Sequence, residues 1–203
     1  MLANSPVVIS ALVESLRHDP FYLAITEGYG ADETRRSEAL SRYFDYSMSE
    51  GARVGRCVQS VGDAPAAAVW LLPLSPERAT AEASAKAAFI RSALEPTGAE
   101  NYHRIVAFMA SRSRPIVSSA AWYLSIVGVA PGAQGQGAGG RLIRATLAEA
   151  DQVGAPSFLE TFSARNVNLY ERLGFSVVAS YEEPITKSRY WIMQRGAQLN
   201  RRA

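Results

Sequence analysis

The amino-acid sequence predicts a single α/β domain over residues 1–203, a length that suits one domain with a sizeable core. Three observations predict this class. Residues 122–150 show a strand, a glycine-rich loop and a helix in succession. Residues 55–72 and 175–194 each contain two strand-like runs. Several other stretches carry apolar residues at helical spacing.

The helices before the central stretch are predicted from their start and stop signals. Ser5-Pro6 indicates the start of the first helix, and Asp19-Pro20 indicates its end. Three further helices are predicted, over residues 32–48, 77–94 and 99–109. Pro96-Thr97-Gly98 predicts a break between the last two, whose alanine content favours close helix packing over a chemical role. Residues 112–119 are predicted to form a polar loop.

The strands outside the central stretch are predicted from short apolar runs that turn residues bound. They cover residues 55–61, 66–72, 157–161, 175–181 and 188–194. Gly62-Asp63 predicts a hairpin between the first two, and the last two are predicted to pair antiparallel. Residues 166–173 predict a short helix, with Asn166 as a candidate N-cap and Gly174 after its end. The Arg201-Arg202 tail is predicted to be disordered.

The central stretch suits a phosphate ligand. Residues 122–129 have strand composition, Pro131-Gly132 ends the strand, and residues 134–140 carry almost no side-chain bulk. A helix is predicted from about Gly139. Backbone N–H groups of such a loop can approach an anion closely, and the helix N-terminus adds roughly half a positive charge. A phosphate or pyrophosphate is the expected ligand.

Composition excludes several other classes. The formal net charge of +2 is too small to indicate binding of nucleic acid or of a membrane. Cys57 is the only cysteine and there are two histidines, so neither an intrachain disulfide nor a metal site is expected. No apolar run reaches membrane-spanning length, and the N-terminus lacks the pattern of a secretory signal. A cytoplasmic location is expected.

Two interpretations of the glycine loop compete. Gly135, Gly137 and Gly140 spell the dinucleotide-binding pattern G-x-G-x-x-G, and Glu160 follows at about the distance of its ribose contact. The context disfavours this interpretation. Residues 130–134 separate the loop from its strand, and more than half of the chain comes first.

The second interpretation rests on more residues. The run Val129-x-Pro131-x-x-Gln134-Gly135-x-Gly137-x-Gly139 resembles the acetyl-CoA loop of the GNAT superfamily of N-acetyltransferases. Residues 159–161 and 165–175 resemble the second half of that signature. Ala67-Ala68-Val69-Trp70 with Pro73, and the runs 122–124 and 158–161, are similar to the branch of puromycin N-acetyltransferase and its relatives.

The resemblance implies a fold, a cosubstrate and an activity. The fold is a mixed, mostly antiparallel sheet that is splayed near residues 122–129 and flanked by helices. The superfamily normally opens with a strand, for which this chain has no room before its first helix. The implied activity is transfer of an acetyl group from acetyl-CoA to a primary amine of a small molecule, such as an aminonucleoside. A non-catalytic acyl-CoA sensor or partner protein is the alternative, and the oligomeric state stays open.

The resemblance also implies which residues contact the cosubstrate. The backbone of the glycine loop is expected to hold the pyrophosphate; its residues are Gln134, Gly135, Gln136, Gly137, Ala138 and Gly139. The strand edge at Val127, Gly128 and Val129 is expected to pair with the pantetheine amides. Asn166 either reaches the pantetheine or adenosine part or only caps its helix.

Two side chains are expected to carry the chemistry. Tyr170 is the candidate general acid for the departing thiolate, because a phenol stays protonated near neutral pH; the alternative is a packed helix tyrosine. Glu160 is the candidate base or anchor for the amine, and the alternative is a structural pair with Arg165. By the same resemblance, four tyrosines line the acceptor pocket or else pack in the core: Tyr22, Tyr29, Tyr43 and Tyr46.

Overall fold

The computed structural model describes residues 4–198, so the Arg201-Arg202 tail lies outside the described residues. Six strands form one sheet in the order β1-β2-β3-β4-β6-β5. The strands are β1 (Gly55–Ser60), β2 (Ala66–Leu71), β3 (Trp122–Val129), β4 (Ser157–Thr161), β5 (Ser176–Glu183) and β6 (Ser188–Arg195). Only the β3–β4 pair is parallel. This confirms the predicted mixed, mostly antiparallel sheet.

Helices cover both faces of this sheet. They are α1 (Pro6–Leu16), α2 (Pro20–Ile25), α3 (Glu33–Val54), α4 (Pro76–Ala93), α5 (Pro96–Ser113), α6 (Ala138–Gln152) and α7 (Ala164–Glu171). On one face, α1, α3, α4 and α5 pack on Ala67, Val69 and Ile126. On the other face, α6 and α7 pack on Trp70 and Leu124. Successive strand residues point to opposite faces, so β2 contributes to both layers.

The predicted N-terminal elements are present, with one clear difference in length. Within the described residues no strand precedes α1, so β1 forms one edge of the sheet. Asp32 caps α3 by accepting a hydrogen bond from the Arg35 N–H. The helix continues to Val54, six residues beyond the predicted end at Met48. Gly51 lies within this helix, where the helix packs on the sheet. A Cβ there would come within 2.6 Å of Val69 Cγ1, so this close packing requires glycine.

The predicted break between α4 and α5 is present but lies at Leu94-Glu95, not at Pro96-Thr97-Gly98. These residues form the first turn of α5, with Pro96 at the position where a missing N–H costs nothing. A Cβ on Gly98 would lie 2.1 Å from the Ile25 carbonyl oxygen, so this glycine lets α5 contact the end of α2. The helix also runs to Ser113, which removes the first two residues of the predicted polar loop.

Candidate active site

The parallel pair β3–β4 opens after a short contact. Only three residue pairs join the two strands, and the last is Leu124 with Leu159. Directly beyond it, the register of β2 with β3 shifts, so that Trp70 pairs with Leu124 and Val69 with Ile126. Ser125 is therefore the extra residue of a β-bulge, a feature that bends a strand locally. From this point the edge of β3 that faces β4 is unpaired.

A cavity of about 600 Å³ lies at this opening. One part of its wall comes from the sheet, including Tyr123, Phe158 and Glu160. A second part comes from α3, α4 and α5, and a third from the α1–α2 connection and α7, which contribute Asp19 and Tyr170. The structure thus brings together both side chains that were predicted to carry chemistry.

The glycine loop has the geometry of an anion site. Gly135 and Gly137 adopt positive φ angles of 80° and 79°, which turn the backbone sharply and favour glycine. Within the described residues, Arg141 is the first after Gln134 whose N–H is hydrogen-bonded, to the Gly137 carbonyl at 3.0 Å. The N–H groups of residues 135–140 are therefore available to a ligand at the start of α6.

The residues of the glycine loop differ in exposure and in the contacts that they make. Residues 134–137 are exposed, whereas Ala138 and Gly139 are buried. A Cβ on Gly139 would lie 3.3 Å from Val129 Cγ2, so its small size lets α6 approach β3. The side chain of Gln134 donates to the Val129 carbonyl at 3.1 Å and fixes the loop against the end of that strand.

The free edge of β3 offers alternate backbone groups. The Ala130 N–H donates to the Pro65 carbonyl on the β2 side, and in an antiparallel ladder the direction alternates by residue. Gly128 therefore directs its backbone groups toward β2, while Val127 and Val129 direct theirs toward the opening. A Cβ on Gly128 would also lie 2.6 Å from Leu12 Cδ2. The structure places Val127 and Val129 at the free edge, whereas Gly128 allows α1 to pack.

Glu160 lies one residue beyond the last β3–β4 pair. It pairs with Ile192 of β6 across the ladder and lines the cavity. Its Oε1 atom is buried and has no hydrogen-bond partner in the described part of the chain. Burial raises the pKa of this carboxyl to about 7, and the nearby hydroxyls of Tyr123 and Ser113 offset part of that rise. Among the described residues it forms no ion pair with Arg165.

Tyr170 is both packed and exposed to the cavity. Its ring contacts Phe175 edge to face with 6.2 Å between centroids, and the residue lines the cavity from α7. Burial, followed by the charge of Asp19, raises the pKa of the phenol well above its ordinary value. Asp19 caps α2 by accepting from the Phe21 N–H at 2.9 Å, and burial raises its pKa to about 6. The phenol therefore keeps its proton across the neutral range.

Asn166 does not cap its helix. The N-cap of α7 is Ser163, and the Asn166 N–H donates to the Ser163 carbonyl at 3.0 Å. The prediction of an Asn166 N-cap is wrong because the helix begins two residues earlier, at Ala164. Asn166 lies in the first turn of α7, one turn before Tyr170, and both residues line the cavity.

The four candidate tyrosines divide into two pairs. Tyr22 and Tyr43 are buried and also line the cavity, so they serve both the core and the pocket. Tyr29 donates to the Ala93 carbonyl at 3.2 Å, and Tyr46 stacks on Phe89 at 4.0 Å between centroids. These two lie outside the cavity lining. Tyr102 of α5 was missed, although it contributes to the same wall.

The alanine-rich helices contribute more than packing, which corrects the expectation from their composition. Lys86 of α4 forms an ion pair with Glu50 of α3 at 2.7 Å, and both line the cavity. The Lys86 ammonium also donates to Ser47 Oγ and lies about 5 Å from the ring centroids of Tyr43 and Tyr46. No local sequence motif indicated this buried ion pair.

Comparison with known proteins agrees with this geometry. Residues 64–175, more than half of the chain, match the acetyltransferase (GNAT) family. The chain belongs to this family. The GNAT match covers β2, α4, α5, the bulged strand β3, the glycine loop, β4 and α7, whereas α1, α2 and α3, which also contribute to the cavity wall, precede it. This GNAT protein is therefore an N-acetyltransferase, as the sequence predicted, and its family uses acetyl-CoA as cosubstrate.

Solved structures share the fold of this GNAT protein over nearly its whole length. A histone acetyltransferase HPA2-related protein from Corynebacterium glutamicum is 19% identical, with a TM-score of 0.64 over 98% of this chain and 97% of its own. Arylalkylamine N-acetyltransferase 2 from Aedes aegypti is 11% identical, with a TM-score of 0.61 over 94% and 93%. A polyamine N-acetyltransferase from Drosophila melanogaster is 14% identical, with a TM-score of 0.58 over 93% and 90%.

Residues 4–198 of this GNAT protein contain no group of three or more His, Cys, Asp or Glu side chains that could hold a metal ion. None of their helices has both the length and the apolar composition needed to cross a bilayer.

Proposed function

We propose that this domain, over residues 1–203, transfers the acetyl group of acetyl-CoA to a primary amine of a small molecule by direct attack on the thioester. One observation carries the proposal: Glu160, a buried carboxyl with an unpartnered oxygen, lines the same cavity as Tyr170 at the point where β3 and β4 separate. A candidate base and a candidate acid thus line one cavity at the place where the strand edge is free. Two structural neighbours are named for arylalkylamine and polyamine acetylation, which supports an amine acceptor.

The residues of the loop and strand suit the cosubstrate. The free N–H groups of residues 135–140 would hold the pyrophosphate, together with the positive end of α6. The backbone of Val127 and of Val129 would bond the pantetheine amides, and Asn166 lies beside that path in the cavity lining. Acetyl-CoA supplies an acetyl group that is activated as a thioester.

The protein then has two protons to move. Glu160 takes a proton from the bound ammonium, directly or through water, because an alkyl amine with a pKa of roughly 10 is protonated near neutral pH. Its own pKa of about 7 suits that task, since the ionised form is available and still basic. Tyr170 donates its phenolic proton to the sulfur as the C–S bond breaks, and the nitrogen of the new amide gives up its second proton to restore the phenol, directly or through water. Glu160 afterwards releases its proton to solvent.

Within small primary amines, aminonucleosides of the puromycin type are one candidate group. The support is the resemblance of residues 67–70, 122–124 and 158–161 to the puromycin N-acetyltransferase branch. These runs lie in β2, β3 and β4, which border the cavity.

Thiol release tests the proposal. Purified protein with acetyl-CoA and a panel of amines, including puromycin, polyamines, aminoglycosides and short peptides, should release free CoA with at least one amine. Binding of CoA without release by any amine would favour the sensor alternative. A melting temperature that rises with NAD and not with CoA would contradict the assignment of the loop.

A further inference from the structure

The cavity has a part whose walls come from α3, α4, α5 and the sheet residues Leu71, Tyr123, Phe158 and Glu160; we call it the acceptor arm. Asp19 and Tyr170 line the same cavity from the α1–α2 connection and from α7, outside these walls. Because α1 packs on β3 at Gly128, the α1–α2 side adjoins the edge assigned to pantetheine. The acceptor arm is the space left for the amine.

Aromatic rings form much of the wall of this arm. Tyr123 and Phe158, on neighbouring strands, stack with 4.6 Å between centroids and line the sheet side of the arm. Tyr43 and Tyr102 meet edge to face at 6.3 Å on the helical side, and Phe21 contacts both of them. Leu71, Val54, Val106 and Met109 complete an apolar lining. Such a wall gains most from a ligand with a flat apolar body.

The charged groups of the arm largely neutralise one another. Glu50 is paired with Lys86 at 2.7 Å, and Glu82 is paired with Arg53 at 2.6 Å. Arg114 lies exposed at the C-terminal end of α5 and adds a positive charge at the rim. Among the described residues of the arm, Glu160 is then the only acid without a cationic partner, and Asp19, on the α1–α2 side of the same cavity, is held by the Phe21 N–H as the cap of α2. The arm can match one positive charge of a ligand.

We propose that the acceptor is a monoamine with an aromatic body, such as an arylalkylamine, and that the arm selects against polyamines and against amines that carry a carboxylate. The inference rests on the proposed amine acetylation. A second ammonium or guanidinium in this arm would lose its hydration without gaining an acid, which is costly in an apolar site. A carboxylate would lie near Glu160 and would find Lys86 already partnered by Glu50, while the charge of Arg114 is exposed at the rim, where solvent screens it.

Relative kcat/KM values from thiol release test this selection. Phenethylamine should exceed putrescine, agmatine and phenylalanine by about tenfold or more, the range that a single uncompensated buried charge can produce. Putrescine or agmatine turned over as fast as phenethylamine would overturn the inference while leaving amine acetylation intact. No release from any amine would contradict the proposed function itself.

A variant with an added acid tests where the selection arises. Val106 lines the arm from α5 and is 39% exposed, so a glutamate fits there without burial of a new charge in the core. Val106→Glu should shift the ratio of kcat/KM for agmatine over phenethylamine upward by about tenfold, because a second cation then gains a partner. Val153→Glu, at an exposed position outside the cavity lining, should leave the ratio unchanged. An unchanged ratio in folded Val106→Glu protein would overturn the assignment of this arm to the acceptor.

Discussion

Replacement of Glu160 by glutamine separates a chemical role from a structural one. Gln keeps the size of the side chain but cannot take up a proton. Burial raises the pKa of Glu160 from 4.5 to about 7, which makes the ionised carboxylate about 3 kcal/mol less stable in the fold than in the unfolded chain. No ion pair within the described residues compensates for this loss of stability. Glu160→Gln should therefore increase the free energy of unfolding at pH 8 while it lowers activity.

The pH dependence of stability follows from the direction of the pKa shift. Below about pH 4.5 the carboxyl is protonated in both the folded and the unfolded protein, and the difference between the two pKa values then costs no stability. Between about pH 4.5 and 7 the folded protein holds the proton more tightly, so stability falls as the pH rises. Urea unfolding of the free enzyme should show the variant gaining about 1–3 kcal/mol over wild type from pH 5 to pH 8.

Glu160→Gln should lower activity although it raises stability at pH 8. With a base of pKa about 7 replaced by solvent, and an amine of pKa roughly 10, kcat/KM should fall by up to about 10³ at or below neutral pH. The loss should shrink as the pH approaches the pKa of the amine, because free amine then needs no base. A variant that is less stable than wild type at pH 8, with unchanged kcat/KM per folded molecule, would refute this assignment and favour a structural carboxylate.

Three other substitutions test the remaining assignments. Gly137→Glu should abolish CoA binding in calorimetry because it places a negative charge at the proposed pyrophosphate site, whereas Gly137→Asn, which tolerates the positive φ better, should retain more of it. Tyr170→Phe should keep CoA affinity and lower kcat by about 10² or more, while Tyr46→Phe should not; equal turnover from about pH 6 to 9 would remove Tyr170 as the proton donor. Lys86→Met should cost about 3 kcal/mol in urea unfolding because it leaves Glu50 buried and unpaired, and Glu50→Gln in the same chain should recover most of that loss.

Much of the fold and of the cofactor region could be predicted because their signals are local. The strand, glycine loop and helix at residues 122–152 are contiguous, and each boundary is marked by proline, by glycine or by a change of apolar spacing. The hairpin of β1 and β2 is likewise marked by Gly62-Asp63. Errors arose where a local signal was overridden by packing, as at Gly51 and Gly98, whose missing side chains allow contact with distant backbone or side chains.

The acceptor side could not be predicted in the same way, since its parts come from distant segments. Lys86 and Glu50 are 36 residues apart, and only the packing of α3 against α4 brings them together. Asp19 carries a helix-ending signal in the sequence, yet the fold places it in the lining of the cavity that Tyr170 also lines. The direction of the Gly128 backbone also depended on pairing with β2, which the sequence of β3 alone does not specify.

The position of Glu160 links the sheet topology to the chemistry. β4 has five residues, and all five pair with β6, but only the first three pair with β3. Glu160 is the fourth, so its backbone is held by the sheet while its side chain faces the gap that the bulge at Ser125 helps to open. A strand residue in this place is rigid, partly dehydrated and in reach of a ligand at once. These conditions raise the pKa of a carboxyl and preserve its access to substrate, so the opening that we propose for the thioester would also prepare the proposed base.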